Sequence, residues 1–120
     1  MAETKELIKS IVNGIRERKG KDITIVDMSG KEYASAQGFV ICTGTSNMHV
    51  DAVADSIRET VEKELGTRPI NYDGYRNSEW IVIDYGTIYA HVFLPEYRER
   101  YKLEELWNDA TIERVPDEEA

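Results

Sequence analysis

Two segments rich in β-branched and aromatic residues flank Gly86 and constrain the fold more than any other feature. Together they predict a β-hairpin. A two-residue turn that includes Gly86 pairs residues whose numbers add to an odd total, which gives the hairpin two different faces. The core face carries Ile81, Ile83, Tyr85, Ile88, Ala90, Val92 and Leu94. The opposite face carries Trp80, Val82, Asp84, Tyr89, His91 and Phe93.

The opposite face is unusual because it holds three aromatic residues, a histidine, an aspartate and a single aliphatic residue. If the helices cover only the core face, these side chains are exposed, and exposed large aromatics mark interaction sites. The alternative is that helices or the C-terminal segment cover this face too. Trp80 and Phe93 would then belong to the core.

The rest of the chain predicts a single α/β domain over residues 1–115. Apolar residues at helical spacing predict a helix near the N-terminus and a second helix after residue 46, and the predicted element order is α-β-β-α-β-β-β-α. Helices that alternate with strands in this way usually cover one face of a mixed sheet. We therefore expect about five strands with the helices mainly on one face. Residues 116–120 form an acidic segment that we expect to be a disordered tail.

Composition narrows the classes of partner. There are 15 basic and 23 acidic residues, and the net charge is −8. This balance argues against direct nucleic-acid binding, which depends on lysine and arginine, and favours neutral or basic partners. Cys42 is the only cysteine, so an internal disulfide and a thiolate metal cluster are both excluded. No apolar run is long enough for a membrane span and no targeting segment is recognised, so we expect a cytoplasmic protein.

A second candidate site lies where a buried strand ends and the second helix begins. The residues are Thr43, Gly44, Thr45, Ser46 and His49. Free backbone N–H groups at such a place can bind an anion, so a small nucleotide-binding or nucleotidyltransferase-like module is the alternative function. A phosphate loop would need more glycines and a following lysine, which this chain lacks. The favoured interpretation is a turn that caps the helix.

Enzymatic and metal chemistry find little support in the sequence. Asp84 and His91 could form a catalytic pair, but no serine or cysteine nucleophile at a motif position accompanies them. The chain has two histidines, no His-x-x-x-His and no paired Asp-x-Asp. We therefore expect a protein that is not an enzyme and needs no metal or cofactor.

Four segments together resemble the Iojap family, the ribosomal silencing factors. They are residues 39–50, 79–86, 91–93 and 101–110, and the resemblance extends from the first helix to Ala110. Two departures stand out. Gln37 and Gly38 stand where the family typically has Asp-Tyr, and Thr87 stands where it often has aspartate. Contacts that those side chains make in relatives are not expected here.

The resemblance implies a domain similar to the nucleotidyltransferase fold but without its catalytic carboxylates. It also implies a homodimer that binds large-subunit ribosomal protein fourteen, sterically blocks joining of the subunits and so represses translation under nutrient limitation. A protein of charge −8 would prefer a basic ribosomal protein to bare ribosomal RNA. The predicted contact residues are Trp80, Asp84, Tyr85, His91 and Phe93. Four further residues are expected either to pack the C-terminal segment against the sheet or to support the dimer: Tyr101, Leu103, Leu106 and Trp107.

Overall fold

The computed structural model of the protein describes residues 4–28, 37–102 and 111–116. Within these ranges the chain forms three helices and six strands. In chain order they are α1 (Thr4–Glu17), β1 (Lys21–Asp27), β2 (Gly38–Thr43), α2 (Asn47–Leu65), β3 (Asn71–Asp73), β4 (Trp80–Asp84), β5 (Ile88–Phe93), α3 (Pro95–Tyr101) and β6 (Thr111–Arg114). The first eight elements follow the predicted order. β6 was not predicted, because its four residues are all exposed and show no apolar alternation.

The strands form one mixed sheet in the order β3-β4-β5-β2-β1-β6. The central pair, β2 and β5, is parallel, and the other neighbouring pairs are antiparallel. The prediction of a single α/β domain with a mixed sheet is confirmed, with six strands described rather than about five. None of the helices in the described parts of the chain is long and apolar enough to cross a membrane.

The hairpin around Gly86 has the odd-total pairing that the sequence predicts. Trp80 lies opposite Phe93 and Ile83 opposite Ala90, so paired numbers add to an odd total as expected. The Tyr85 N–H donates to the Ile88 carbonyl at 3.0 Å, which closes a two-residue turn at Gly86 and Thr87. Gly86 has a φ of +89°, a conformation that side chains disfavour. Each face of the hairpin therefore carries the residues that the sequence predicted for it.

Helices α1 and α2 cover one face of the sheet and form the main core. Completely buried side chains from both helices and from the hairpin meet there, among them Ile11, Ile57 and Ile81. The helices approach closely at Gly14, where an added Cβ would lie 2.7 Å from the Ile57 Cα. The hydroxyl of Ser56 donates to the Gly14 carbonyl at 2.8 Å across the same crossing. Glycine at position 14 is thus what allows the helix pair to sit this close.

The opposite face of the sheet carries a second, smaller core. Its buried members are Val26, Met28, Ile41 and Phe93, and Phe39, Trp80, Tyr89 and Tyr97 pack against them. Tyr97 belongs to α3, so this short helix lies over the face that α1 and α2 leave open. The open question about the aromatic face is therefore answered in part: some of its side chains are core, and others reach the surface.

Candidate partner-binding site

Trp80 is the centre of the candidate site. It opens β4 and is half-buried. Its ring centroid lies 5.0 Å from that of Phe93, nearly parallel to it, and 4.9 Å from that of Tyr101 on α3. The indole N–H donates to Nδ1 of His91 at 3.1 Å. A large aromatic side chain that is held on several sides and still reaches solvent is typical of residues that dominate protein–protein contacts.

His91 lies beneath this surface. It is 5% exposed, and its ring meets that of Phe39 edge-on at 5.1 Å. Burial lowers the pKa of the imidazole to about 4, since a charged ring would be poorly solvated there. The imidazole is therefore neutral at neutral pH. Its Nε2 atom is buried and has no hydrogen-bond partner among the described residues.

Two of the predicted contact residues are not accessible. The Phe93 side chain is 1% exposed and that of His91 is 5% exposed. For both side chains the alternative of a covered face is the one observed, because the neighbouring strand β2 and helix α3 contribute aromatic rings over this face. In this structure both side chains pack against Trp80, and neither has enough accessible surface to contact a partner.

Asp84 and Tyr85 lie at the far end of β4 and point in different directions. Asp84 is partly exposed, and its Oδ1 accepts the Gly86 N–H at 2.7 Å, which stabilises the turn. Tyr85 is 8% exposed and belongs to the main core on the helix side. Burial raises the pKa of its hydroxyl to about 12. Of the five predicted contact residues, only Trp80 and Asp84 both lie on the aromatic face and are accessible to solvent.

Phe39 and Tyr89 belong to the same surface and were missing from the predicted site. They are paired across the parallel β2–β5 ladder, with ring centroids 6.0 Å apart, and both are partly exposed. Tyr89 was placed on this face by the hairpin parity but not chosen as a contact. Phe39 gave no signal, because β2 is a continuous apolar strand whose pattern does not show which way each side chain points.

Arg98 fixes α3 to the end of the sheet. Its guanidinium donates to the hydroxyls of Thr43 at 2.9 Å and Thr24 at 2.8 Å, and also to the carbonyl of Asp22. These bonds join α3 to β1 and β2 and hold Tyr101 near Trp80. Tyr101 is 43% exposed, and its ring packs on that of Trp80. Leu103, Leu106 and Trp107 lie outside the described residues.

The turn after β2 is occupied by its own hydrogen bonds. The N–H of Gly44 donates to the Phe93 carbonyl at 2.8 Å, and that of Thr45 to Nδ1 of His49 at 2.9 Å. Ser46 caps α2 by accepting the His49 N–H at 3.1 Å. The other ring nitrogen of His49 lies 2.7 Å from the Arg18 carbonyl. Three amides of this turn, those of Gly44, Thr45 and His49, are thus already used, and Ser46 caps the helix, which favours the capping interpretation.

Cys42 and the acidic side chains offer no second chemistry. Cys42 is completely buried, and burial raises the pKa of its thiol to about 12, so it is held as the unreactive thiol. Among the residues that the structure describes, no group of three histidine, cysteine, aspartate or glutamate side chains could hold a metal ion.

The domain is thus a mixed α/β fold whose candidate site is an aromatic surface centred on a tryptophan. The family model described as "Ribosomal silencing factor during starvation" matches residues 1–120. The ribosomal silencing factor RsfS of Chromobacterium violaceum is 35% identical over 105 residues, which cover 88% of this chain and 84% of that one. The RsfS of Halalkalibacterium halodurans is 35% identical over 109 residues, covering 90% and 92%.

A crystal structure of a Chromobacterium violaceum protein superposes with a TM-score of 0.83 at 34% identity, and covers 89% of this chain and 88% of that one. The chain therefore belongs to the ribosomal silencing factor family, as its motifs indicated. The relatives carry the names of regulatory factors rather than of enzymes.

Proposed function

We propose that this protein binds the large ribosomal subunit through ribosomal protein fourteen and represses translation by blocking subunit joining. The observation that carries the proposal is the family match over residues 1–120, together with relatives named as ribosomal silencing factors. The protein acts in the cytoplasm as a steric block under nutrient limitation, without an enzymatic reaction. Occupying the subunit interface of the large subunit is enough to exclude the small one.

The accessible part of the aromatic face supplies the contact. Trp80 contributes apolar area that is held in place by Phe93 and Tyr101, so little side-chain freedom is lost on binding. Asp84 has a second carboxylate oxygen beyond the one that accepts from Gly86, and it accepts a charge-assisted bond from a lysine or arginine of the partner. Tyr89 and Phe39 extend the surface along β5 and β2.

Net charge supports a protein partner. A molecule of charge −8 is repelled by ribosomal RNA phosphates and attracted to a basic protein patch between them. The charge therefore raises the rate of productive encounters and disfavours binding elsewhere on the ribosome. The free protein forms a homodimer.

A pull-down with the isolated ribosomal protein tests this proposal. The wild type is expected to bind, and Trp80→Ala is expected to weaken binding by about thirtyfold or more, because hot-spot truncations cost about 2 kcal/mol or more. Tyr72→Ala is the matched control, since Tyr72 is an aromatic residue that is 45% exposed on the edge strand β3. If Trp80→Ala stays folded and binds as well as the wild type, the proposed contact face is wrong.

A further inference from the structure

The bond between Trp80 and His91 fixes how the imidazole carries its proton. An indole N–H can only donate, so Nδ1 of His91 must be the acceptor in the 3.1 Å bond between them. The pyrrole-type hydrogen of the neutral ring then lies on Nε2. That atom is buried and without a partner among the described residues.

A histidine in this position is a poor choice for stability alone. An unsatisfied buried donor weakens the folded state, whereas an apolar ring of similar size would fill the same space without that penalty. Phe39 and Phe93 already supply apolar rings on both sides of His91, at 5.1 and 6.1 Å. The property that histidine adds to this cluster is the acceptor for the indole of Trp80.

Ring packing cannot by itself set the orientation of the indole. The contacts with Phe93 and Tyr101 restrain the plane of the Trp80 ring, but stacking tolerates rotation that exchanges the two edges of the ring system. A hydrogen bond is directional, and it is satisfied only when the N–H edge faces His91. The acceptor therefore selects one of the orientations that stacking permits.

We propose that His91 is a positioning residue that presets the orientation of Trp80 for the ribosomal partner. The inference rests on the proposed function, because it takes Trp80 as a contact residue. Binding is stronger when a contact side chain already has its bound orientation, since less freedom is lost in the complex. His91 thus contributes to affinity without touching the partner.

Two substitutions separate the acceptor from the ring. His91→Phe keeps an aromatic ring in the cluster and removes the acceptor. His91→Asn places a carbonyl oxygen where Nδ1 stands and keeps the acceptor. The first readout is hydrogen exchange of the Trp80 indole N–H by nuclear magnetic resonance. The chain has two tryptophans, so Trp80→Phe identifies which of the two indole signals belongs to Trp80.

We expect His91→Phe to speed indole exchange and to weaken binding to the isolated ribosomal protein by about three- to tenfold, because the freed Trp80 side chain must be ordered again on binding. His91→Asn is expected to keep most of the slow indole exchange and most of the binding affinity of the wild type. If Trp80→Ala weakens binding but His91→Phe does not, the positioning role is wrong while the proposed function stands. If Trp80→Ala has no effect, the contact face fails and the positioning role fails with it.

A measurement on the wild type covers the case in which a variant does not fold. Nitrogen chemical shifts of the His91 imidazole report which ring nitrogen carries the hydrogen. At neutral pH we expect the hydrogen on Nε2 and a hydrogen-bonded, unprotonated Nδ1. A hydrogen on Nδ1 would contradict the proposal without any substitution.

Discussion

Trp80 and Phe93 lie opposite each other in the β4–β5 ladder, with their rings stacked 5.0 Å apart. Phe93 is 1% exposed and belongs to the smaller core, whereas Trp80 is half-buried and reaches the surface. The pair therefore couples the packing of the second core directly to the shape of the candidate site. A change beneath the surface at Phe93 alters what a partner meets at Trp80.

Phe93→Ala tests that coupling. Removing this buried ring is expected to lower the free energy of unfolding by about 3–5 kcal/mol, because it leaves a cavity in the smaller core. Urea unfolding followed by circular dichroism measures the change. Tyr72→Ala, at an exposed edge position, is expected to cost less than about 1 kcal/mol. Equal losses for the two variants would show that the second core contributes little.

Acid is expected to destabilise the protein through His91. Its pKa is about 4 in the folded protein and 6.5 in a solvated chain, so the unfolded state binds the proton more tightly. Stability from this residue is complete above pH 6.5 and falls as the pH is lowered toward 4, by about 2 kcal/mol between pH 7 and pH 5. Urea unfolding at both pH values measures it, with His91→Asn as the control.

The control variant makes the assignment specific. Acidification titrates carboxylates in both proteins, so only the difference between wild type and His91→Asn reports on the imidazole. The advantage of the wild type is expected to shrink as the pH falls. A difference that is independent of pH would contradict the low pKa of His91.

Arg98→Ala is expected to loosen α3. The guanidinium joins this helix to Thr24, Thr43 and the Asp22 carbonyl, and its loss leaves the two hydroxyls without that donor. We expect a loss of about 1–3 kcal/mol and faster amide exchange in α3. Arg100→Ala is the matched control, because Arg100 is exposed and contacts only the Tyr97 ring of its own helix among the contacts described. Similar exchange in both variants would argue against Arg98 as the anchor.

Gly14→Ala is expected to separate α1 from α2. The added Cβ would lie 2.7 Å from the Ile57 Cα, which is backbone and cannot rotate away. Overpacking of this kind costs about 1–3 kcal/mol, seen as a lower midpoint of urea unfolding. Gly66→Ala provides a contrast, because an added Cβ there meets nothing within 4 Å and only the φ of +65° is unfavourable. A smaller loss at Gly14 than at Gly66 would contradict the close crossing.

Nucleotides are expected to leave the melting temperature unchanged. A ligand that binds only the folded state raises this temperature, by an amount that grows with the logarithm of the ligand concentration divided by Kd. The amides of Gly44, Thr45 and His49 already donate within the protein, and the turn is not followed by the lysine of a phosphate loop. Thermal unfolding with a panel of nucleotides and magnesium measures this. A clear rise in melting temperature with one nucleotide would instead support the alternative function, a nucleotide-binding module.

The hairpin shows what the sequence could predict. The content of its two faces follows from local chemistry alone, because either two-residue turn that includes Gly86 gives the same faces once the strands alternate. The same reasoning places Trp80 and His91 side by side, which the bond between them confirms. Contacts between strands that are close in the chain can therefore be predicted from the alternation of apolar residues in the sequence.

The covering of the aromatic face could not be predicted in the same way. It depends on the parallel pairing of β2 with β5, which brings Phe39 beside Tyr89 from fifty residues away in the chain. It also depends on α3, a short helix that is held on the sheet by Arg98 and by the rings of Tyr97 and Tyr101. Long-range contacts of these kinds leave no periodic signal, so the pattern left open whether His91 and Phe93 are exposed, and both are buried.

Subunit joining measures the central claim most directly. Purified small and large ribosomal subunits are mixed with and without the protein and separated on a sucrose gradient. We predict fewer joined ribosomes and co-migration of the protein with free large subunits, both reduced by Trp80→Ala and unaffected by Tyr72→Ala. Undiminished joining in the presence of excess protein would contradict the account.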